Sequence, residues 1–455
     1  MRSMTLKEIA AACGGRLISA ENTEGLTIND ITIDSRTVKE GSLYIPIKGQ
    51  RFDGHDFIDS VFENGAVCTL TESERTDLRH PQIVVESTSA ALRDIAEYYR
   101  SLFKNLKVIG VTGSSGKTST KEMIYSVLSE HFNVLKTEGN LNNEIGVPKT
   151  IFRINDEHEV AIIEMGINHF GEMTRLAKMV RPDIAVITNI GTAHLEFLES
   201  RDGILKAKTE MLPFLAENGT AVLNGDDDKL STVDSVKTSF FGFDSKNDTR
   251  AENLVQNGIY GTSFTIVTND IRMNAFVPAL GKHMVLNAIA AFRISELLGE
   301  PAGKAIEGIR HFKNIDGRFN AIKADCYTLI NDCYNANPDS VKASLKVIST
   351  LPGRKAAVLA DMKELGENSE KMHREVGAYA AECLDTLICI GPEAKYIEEE
   401  AKKTNPYLKT VHFENNEVAV KSIRDHLEIS DTVLIKGSHS MNLSEITSFL
   451  SGICK

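Results

Sequence analysis

The stretch VIGVTGSSGKTSTKEM, residues 108–123, decides the fold. VIGVT (108–112) is short, apolar and bounded by glycine, so it reads as a buried strand. TSTKEMIYSVLSEHF (118–132) sets Met123, Ile124, Val127 and Leu128 on one helical face. Between strand and helix lies a glycine turn, the order a phosphate-binding loop requires. Gly113 and Gly116 permit tight turning, so that backbone N–H groups face phosphate oxygens. The helix amino terminus adds partial positive charge. The candidate nucleotide-binding run is therefore Gly113, Ser114, Ser115, Gly116, Lys117, Thr118 and Ser119. Lys117 would reach the terminal phosphates, and Thr118 would offer its hydroxyl to Mg²⁺. The long GxxxxGK[ST] pattern fails at Val111, and the short GxxGKT form remains. The competing reading is a glycine turn that merely precedes a helix. No NKxD motif occurs, which argues against a guanine-reading switch.

Working outward, VAIIE (160–164) and IAVIT (184–188) are further strand candidates separated by helical stretches. That alternation predicts a parallel sheet covered by helices. In such sheets ligands gather at the carboxyl ends of strands. Glu164 ends its strand and is a hard oxygen donor for Mg²⁺, against the alternative of a solvent-facing acid. His194, in TNIGTAHLE, is a candidate second-metal ligand, against the alternative of an ordinary loop histidine. Lys206 and Lys208 read by default as exposed helical lysines. Asp226, Asp227 and Asp228 read as a strand-ending turn and not as a metal cluster.

The chain has 455 residues, 42% hydrophobic and 25% charged, with a formal charge of −12. That is too apolar for disorder and long enough for two to four domains. No apolar run reaches the ~18–20 residues needed to span a bilayer. The amino terminus, MRSMTLKEIAAACGGRL, reads as a short amphipathic helix and not as a secretion signal. Seven scattered cysteines without a CxxC pair read as free thiols in a reducing compartment. Net acidity argues against general nucleic-acid affinity. The expected architecture is α/β in three domains, divided near 105 and 315: 1–105, 106–315 and 316–455. The first is a small α/β domain, and the second holds the P-loop and its ATPase-like parallel sheet. After a weaker alternating stretch, GKHMVLNAIAAFRISELLG (281–299) reads as an amphipathic helix. YTLIND (327–332), AAVLAD (356–361), TLICIG (386–391) and TVLIKG (432–437) then predict a Rossmann-like α/β domain.

The ordered series of motifs resembles the Mur ligase family of peptidoglycan synthesis along essentially the whole chain. It runs DSRTVKEGSLYIPIKGQRFDGHDF (34–57), TGSSGKTSTKE (112–122), NLNNEIGVP (140–148), EMGINHFGEM (164–173), NIGTAHLEFL (189–198) and AKTE (207–210). It continues with DGRFN (316–320), NDCYNANPDS (331–340), ADMKELGENS (360–369) and KGSHSMNLSE (436–445). Each motif alone is weak, and the order makes the series specific. NLNNEIGVP, YNANPDS and DMKELGE resemble the branch that adds D-alanyl-D-alanine to UDP-N-acetylmuramoyl-tripeptide.

The resemblance implies an ATP-dependent, ADP-forming amide ligase of cytoplasmic peptidoglycan precursor synthesis, working through an acyl phosphate. Lys117, Lys208, Glu164 and His194 would be its catalytic residues, with Thr118, Glu164, His194 and Lys208 serving two Mg²⁺ positions. Lys208 would be carbamylated. Asn287 would approach the adenine, and Arg318 and Asp332 the nucleotide's phosphate and ribose. Ser35 and Arg36 would hold the UDP-sugar in the first domain, and Asn142 and Asn143 would lie where the substrates meet. Asn335 and Asn337 are further substrate-binding candidates. A monomer with neither nucleic-acid partner nor membrane insertion is expected. His439 stands where similar sequences lead us to expect arginine. Two other readings stay open: another amide ligase of this superfamily, such as a folylpolyglutamate-type enzyme, or a non-catalytic nucleotide-dependent binding module.

Overall fold

A computed structural model describes residues 1–19, 23–49, 52–192 and 195–452. The chain forms two compact units. The first comprises Met1–Thr112, His131–Val186 and Ala207–Ala221, and the second Gly113–Glu130, Ile187–Lys206 and Val222–Lys455. No helix among the described residues is long and apolar enough to cross a membrane.

In the first unit, a five-stranded sheet has the order Arg16–Ile18, Gln82–Val84, Ala66–Thr71, Ser42–Tyr44, Asp30–Thr32. Its first pair is antiparallel and the others parallel. Tyr44 is 1% exposed, and its hydroxyl donates to the Gly54 carbonyl at 2.9 Å, tying strand to following loop. The predicted strand 160–164 is present as Val160–Glu164, parallel to both Lys107–Thr112 and Val134–Lys136. All five of its side chains are buried, as a strand covered on both faces demands. Its register sets Glu164 opposite Val111, two residues before Gly113.

In the second unit, Thr249–Gln256, Thr262–Val267 and Arg272–Val277 form an antiparallel run. Helix Lys282–Leu297 follows, and here the expectation of one apolar face needs correction. Met284, Val285, Asn287 through Phe292, Ile294 and Ser295 are all buried, so this is a core helix covered nearly all round. Its alanines keep it slim enough to be packed from several sides.

The carboxyl-terminal α/β layer of this unit is six strands in the order Asn320–Lys323, Thr328–Asn331, Thr432–Lys436, Lys355–Ala360, Thr386–Ile390, Lys409–Phe413. All pairs but the first are parallel. Alternate residues of Lys355–Ala360 serve the two faces. Ala357 and Leu359 pack with Val341, Leu345, Val376 and Ile397, while Ala356, Val358 and Ala360 pack with Ile423, Ile446 and Leu450. Five cysteines (Cys13, Cys68, Cys333, Cys383 and Cys389) are free thiols, but Cys326 is disulfide-bonded, which corrects the expectation for that residue. Cys326 lies just before strand Thr328–Asn331, partly buried against the core that holds Tyr327 and Leu329, and its carbonyl accepts the Ser430 N–H at 2.7 Å.

Glu300, just past helix Lys282–Leu297, is 5% exposed, and neither carboxylate oxygen accepts a hydrogen bond among the described residues. Desolvation, and then the Glu130 charge, push its pKa up to about 7 against a smaller opposing pull from Lys304. The folded chain therefore keeps this proton to a higher pH than an unfolded one, so its contribution to stability falls as pH rises from about 4.5 to about 7. Glu300→Gln should raise the urea midpoint at pH 8, by at most about 3 kcal/mol in stability, and flatten the fall between pH 5 and 7. Equal midpoints at pH 8 would show that the carboxylate is not penalised.

Candidate functional site

The phosphate loop is shaped by what stands behind it. A Cβ added at Gly113, whose φ is +154°, would lie 1.9 Å from Thr188 Oγ1, so no other residue fits. Gly116, at φ +76°, precedes helix Lys117–Leu128 and turns the chain into it. The Ser114 N–H donates to the Asn189 carbonyl at 3.1 Å, and the Ser115 N–H to Asn189 Oδ1 at 3.0 Å. In return Asn189 Nδ2 donates to the Ser115 carbonyl at 3.0 Å, as does Thr188 Oγ1 at 2.6 Å. Lys117 Nζ donates to the Gly113 carbonyl at 2.8 Å, holding the ammonium over the loop. Thr118 is 7% exposed, and Ser119 is partly buried one residue further along the helix. Behind the helix, Thr120 Oγ1 donates to Asn287 Oδ1 at 2.9 Å. Asn287 Nδ2 donates to Met284 Sδ at 3.5 Å.

Thr188 and Asn189 had not been singled out in the sequence. The available signal was a polar Thr-Asn pair directly after the apolar strand Ile184–Ile187, at a ligand-facing strand end. His194 lies outside the described residues.

Glu164, in the first unit, is 1% exposed, with its N–H donating to Thr137 Oγ1 at 3.0 Å. Asn142 Nδ2 donates to Glu164 Oε1 at 2.8 Å, which fixes one oxygen of a buried carboxylate. The Asn142 carbonyl accepts the Gly166 N–H at 2.8 Å, and a Cβ at Gly166 would meet the Asn142 side chain at 2.9 Å. Asn143 instead accepts the N–H groups of Ile145 and Gly146, at 3.2 and 2.8 Å, and opens helix Gly146–Ile151.

Lys206 and Lys208 part company. Lys206 is exposed, as expected by default, whereas Lys208 is 1% exposed on the same helix, Arg201–Thr209. Burying an ammonium is costly, so a buried lysine is a candidate for altered chemistry. Near the amino terminus, Ser35 and Arg36 lie in a short turn capped by Asp34. Arg36 Nε and Nη2 fork onto Asp34 at 2.8 and 2.7 Å and hold its pKa down at about 2. Arg36 itself stays solvent-facing.

In the second unit the Arg318 guanidinium lies 3.9 Å from the Tyr334 ring centroid, a cation–π arrangement. His439 approaches the same ring, with centroids 5.3 Å apart. Asp332 accepts the Phe319 N–H at 3.1 Å, Ser344 Oγ at 2.7 Å and Lys436 Nζ at 2.6 Å. Lys436, also not singled out beforehand, is a lysine ending the apolar strand Thr432–Lys436, and it reaches the Asn335 carbonyl at 3.1 Å. Asn337 caps helix Pro338–Ser349 through the Ser340 N–H at 2.8 Å, so its side chain already has a structural use. The three aspartates of NGDDD are likewise engaged locally. Asp226 accepts backbone N–H groups of Phe243 and Asp244, Asp227 that of Ile190, and Asp228 pairs with Arg201.

These residues fit a nucleotide: a glycine turn whose curvature is fixed from behind by Thr188 and Asn189, a lysine over it, and a helix amino terminus beneath. Among the described residues no group of three or more His, Cys, Asp or Glu forms a metal cage. The Glu164 carboxylate in the first unit and the Thr118 hydroxyl in the second are each hard oxygen donors of the type Mg²⁺ takes.

Family models match in three consecutive stretches: "Mur ligase family, catalytic domain" at residues 27–109, "Mur ligase middle domain" at 111–295, and "Mur ligase, glutamate ligase domain" at 317–439. UDP-N-acetylmuramoyl-tripeptide–D-alanyl-D-alanine ligase of Bacillus subtilis (strain 168) is 36% identical over 452 residues, 98% of each chain. A crystal structure of MurF from Acinetobacter baumannii superposes with a TM-score of 0.91 at 32% identity, covering 99% of each chain. MurF ligase from Thermotoga maritima, in complex with ADP, gives 0.84 at 31% identity, covering 93% of this chain and 97% of that one.

Gly113→Ala should weaken binding of a fluorescent ATP analogue by a factor of about ten or more, a loss of about 1.4 kcal/mol. Gly303→Ala, where an added Cβ meets nothing within 4 Å, should bind normally. Undiminished binding by a folded Gly113→Ala protein would refute that role for the glycine turn.

Proposed function

The chain belongs to the Mur ligase family, and from that premise we propose that it joins D-alanyl-D-alanine to UDP-N-acetylmuramoyl-tripeptide at the expense of ATP. The observation carrying this reading is the match, over 98% of both chains, to a ligase named for that substrate pair. The phosphate loop and its lysine supply the chemistry such a ligase needs. In water a carboxylate and an amine do not condense unaided. The terminal carboxylate of the tripeptide attacks the γ-phosphorus of ATP, and ADP leaves. The amine of D-alanyl-D-alanine attacks the resulting acyl phosphate, and the tetrahedral adduct expels inorganic phosphate as the nitrogen loses its proton.

Lys117 and the amino terminus of helix Lys117–Leu128 orient the phosphates and offset the repulsion between two approaching anions. Thr118, Glu164 and His194 are the proposed Mg²⁺ holders, and Mg²⁺ when bound supplies charge neutralisation to phosphoryl transfer. Asn142 keeps the Glu164 carboxylate aimed. We assign Lys208 to the same task after carbamylation, in which its neutral amine adds CO₂ and releases a proton. Its 1% exposure supports this, since it sets Lys208 apart from the exposed Lys206 on the same helix. Asn287 is assigned to the adenine side, Arg318 and Asp332 to the nucleotide's phosphate and ribose. Ser35 and Arg36 are assigned to the UDP-sugar, and Asn143, Asn335 and Asn337 to the substrates. The working division is 1–105, 106–315 and 316–455, in a monomeric cytoplasmic enzyme.

The direct test is ATP-dependent phosphate release by purified protein, with D-alanyl-D-alanine and a UDP-muramoyl tripeptide carrying either lysine or diaminopimelate. Release with one of them is expected; release only with folate and glutamate would overturn the assignment. Lys208→Ala should lower kcat by about 10²-fold or more without recovery in added bicarbonate. Wild-type turnover in that variant would remove Lys208 from the chemistry.

A further inference from the structure

We propose that Asp339 is a positioning residue for the phosphate loop, acting on it through Thr192 and Gly191. The proposal rests on the nucleotide-ligase reading above and adds a residue to it. Asp339 Oδ2 accepts two hydrogen bonds from Thr192, from its N–H at 3.1 Å and its hydroxyl at 2.7 Å. The preceding residue, Gly191, donates its N–H to Ser114 Oγ at 2.9 Å. A Cβ at Gly191 would stand 3.2 Å from Asp339 Oδ2 and 3.4 Å from Ser114 Cβ, so this glycine fills a slot between carboxylate and phosphate loop.

The neighbouring residues leave that segment little freedom. Asn189 is locked to Ser115 by its side chain. The Ile190 N–H donates to Asp227 Oδ2 at 2.8 Å, and its carbonyl accepts Arg201 Nε at 2.9 Å. Residues 189–192 thus carry four consecutive anchors. Asn189 and Gly191 are held by the loop serines, Ile190 by Asp227 and Arg201, and Thr192 by Asp339, which comes from the first turn of helix Pro338–Ser349. That turn is itself rigid. Pro338 begins it, and Asn337 and Ser340 exchange hydrogen bonds across it, so the direction of the Asp339 carboxylate is set by the helix. Charge-assisted bonds of this kind are short and directional. A shift of the helix is passed to Thr192, and by one peptide unit to Ser114, where the nucleotide phosphates are expected.

A plainer role is available to an acid in the first turn of a helix, which interacts favourably with the helix dipole. The two roles separate experimentally. In the full-length protein, ADP affinity is measured by calorimetry for Asp339→Ala, Thr192→Val, their double variant and Asp339→Asn, alongside thermal midpoints and the ATP KM and kcat of phosphate release. Asp339→Ala and Thr192→Val should each weaken ADP binding about five- to tenfold, with KM for ATP rising more than kcat falls. The double variant should be no worse than the worse single one, because both remove the same link. Asp339→Asn, which keeps an acceptor oxygen, should bind nearly as the parent does. Additive losses, or unchanged ADP affinity in either single variant, would overturn the proposal. A lowered midpoint in Asp339→Ala with Thr192→Val silent would leave only the helix-dipole role and overturn it too. Should the parent bind ADP but release no phosphate with the substrate pair, the substrate assignment fails, and the ADP comparison still decides for Asp339.

Discussion

Everything around the phosphate loop depends on one contact, the absence of a side chain at Gly113 where Thr188 Oγ1 stands. Two neighbouring strands, Lys107–Thr112 and Ile184–Ile187, end together, and their continuations must share a space too small for two side chains. Giving that space to Thr188 lets its hydroxyl and the Asn189 carboxamide close the back of the loop. The loop then holds its curvature through hydrogen bonds to fixed groups and not through its own sequence alone. A loop whose curvature is fixed in advance needs no rearrangement when charge arrives.

The same economy governs the buried charges. The chain is acidic overall, at −12, yet the substrates proposed for it are polyanions. Net charge therefore says nothing of local fields, which are set by individually placed cations such as Lys117 over the phosphate loop and Lys436 beside Asp332. Lys436 is nearly fully buried and would be costly there without Asp332, whose second oxygen it shares with Ser344. Glu164 is handled alike, with an asparagine amide taking one oxygen. In both places a motif that looks like a list of conserved-type letters is a solution to a desolvation problem.

What could be read in the sequence follows from how far apart the interacting residues lie. The strand–glycine–lysine–helix unit at 108–123 is local, so spacing alone exposed it. The parallel strands were legible because burial on both faces leaves runs such as VAIIE with no polar interruption. Asn189 escaped notice because its partners, Ser114 and Ser115, lie more than seventy residues earlier. Lys206 and Lys208 share a helix and a residue type, and only tertiary packing makes one exposed and the other 1% exposed. Helix Lys282–Leu297 misled for the opposite reason, since periodicity finds one apolar face but small alanines let every face be packed.

The whole series of motifs identified the family when single motifs were weak, and the contacts explain why. Each short motif is one side of an interaction whose other side is another motif. TGSSGKT meets TNIG, NLNN meets the glutamate of EMG, YNANPDS meets both the TNIGT loop and the lysine of KGSH. Where the pairing is buried, as for Asn142 on Glu164 or Lys436 on Asp332, a substitution on either side leaves a buried polar group unpaired, costing more than a surface change would. The order of the motifs is set by strand connectivity, but their joint presence is set by these pairings. A sequence carrying the phosphate loop without its Thr-Asn partner would lack the groups that shape it, so the pair is a stricter criterion for this fold than the glycine-rich stretch by itself.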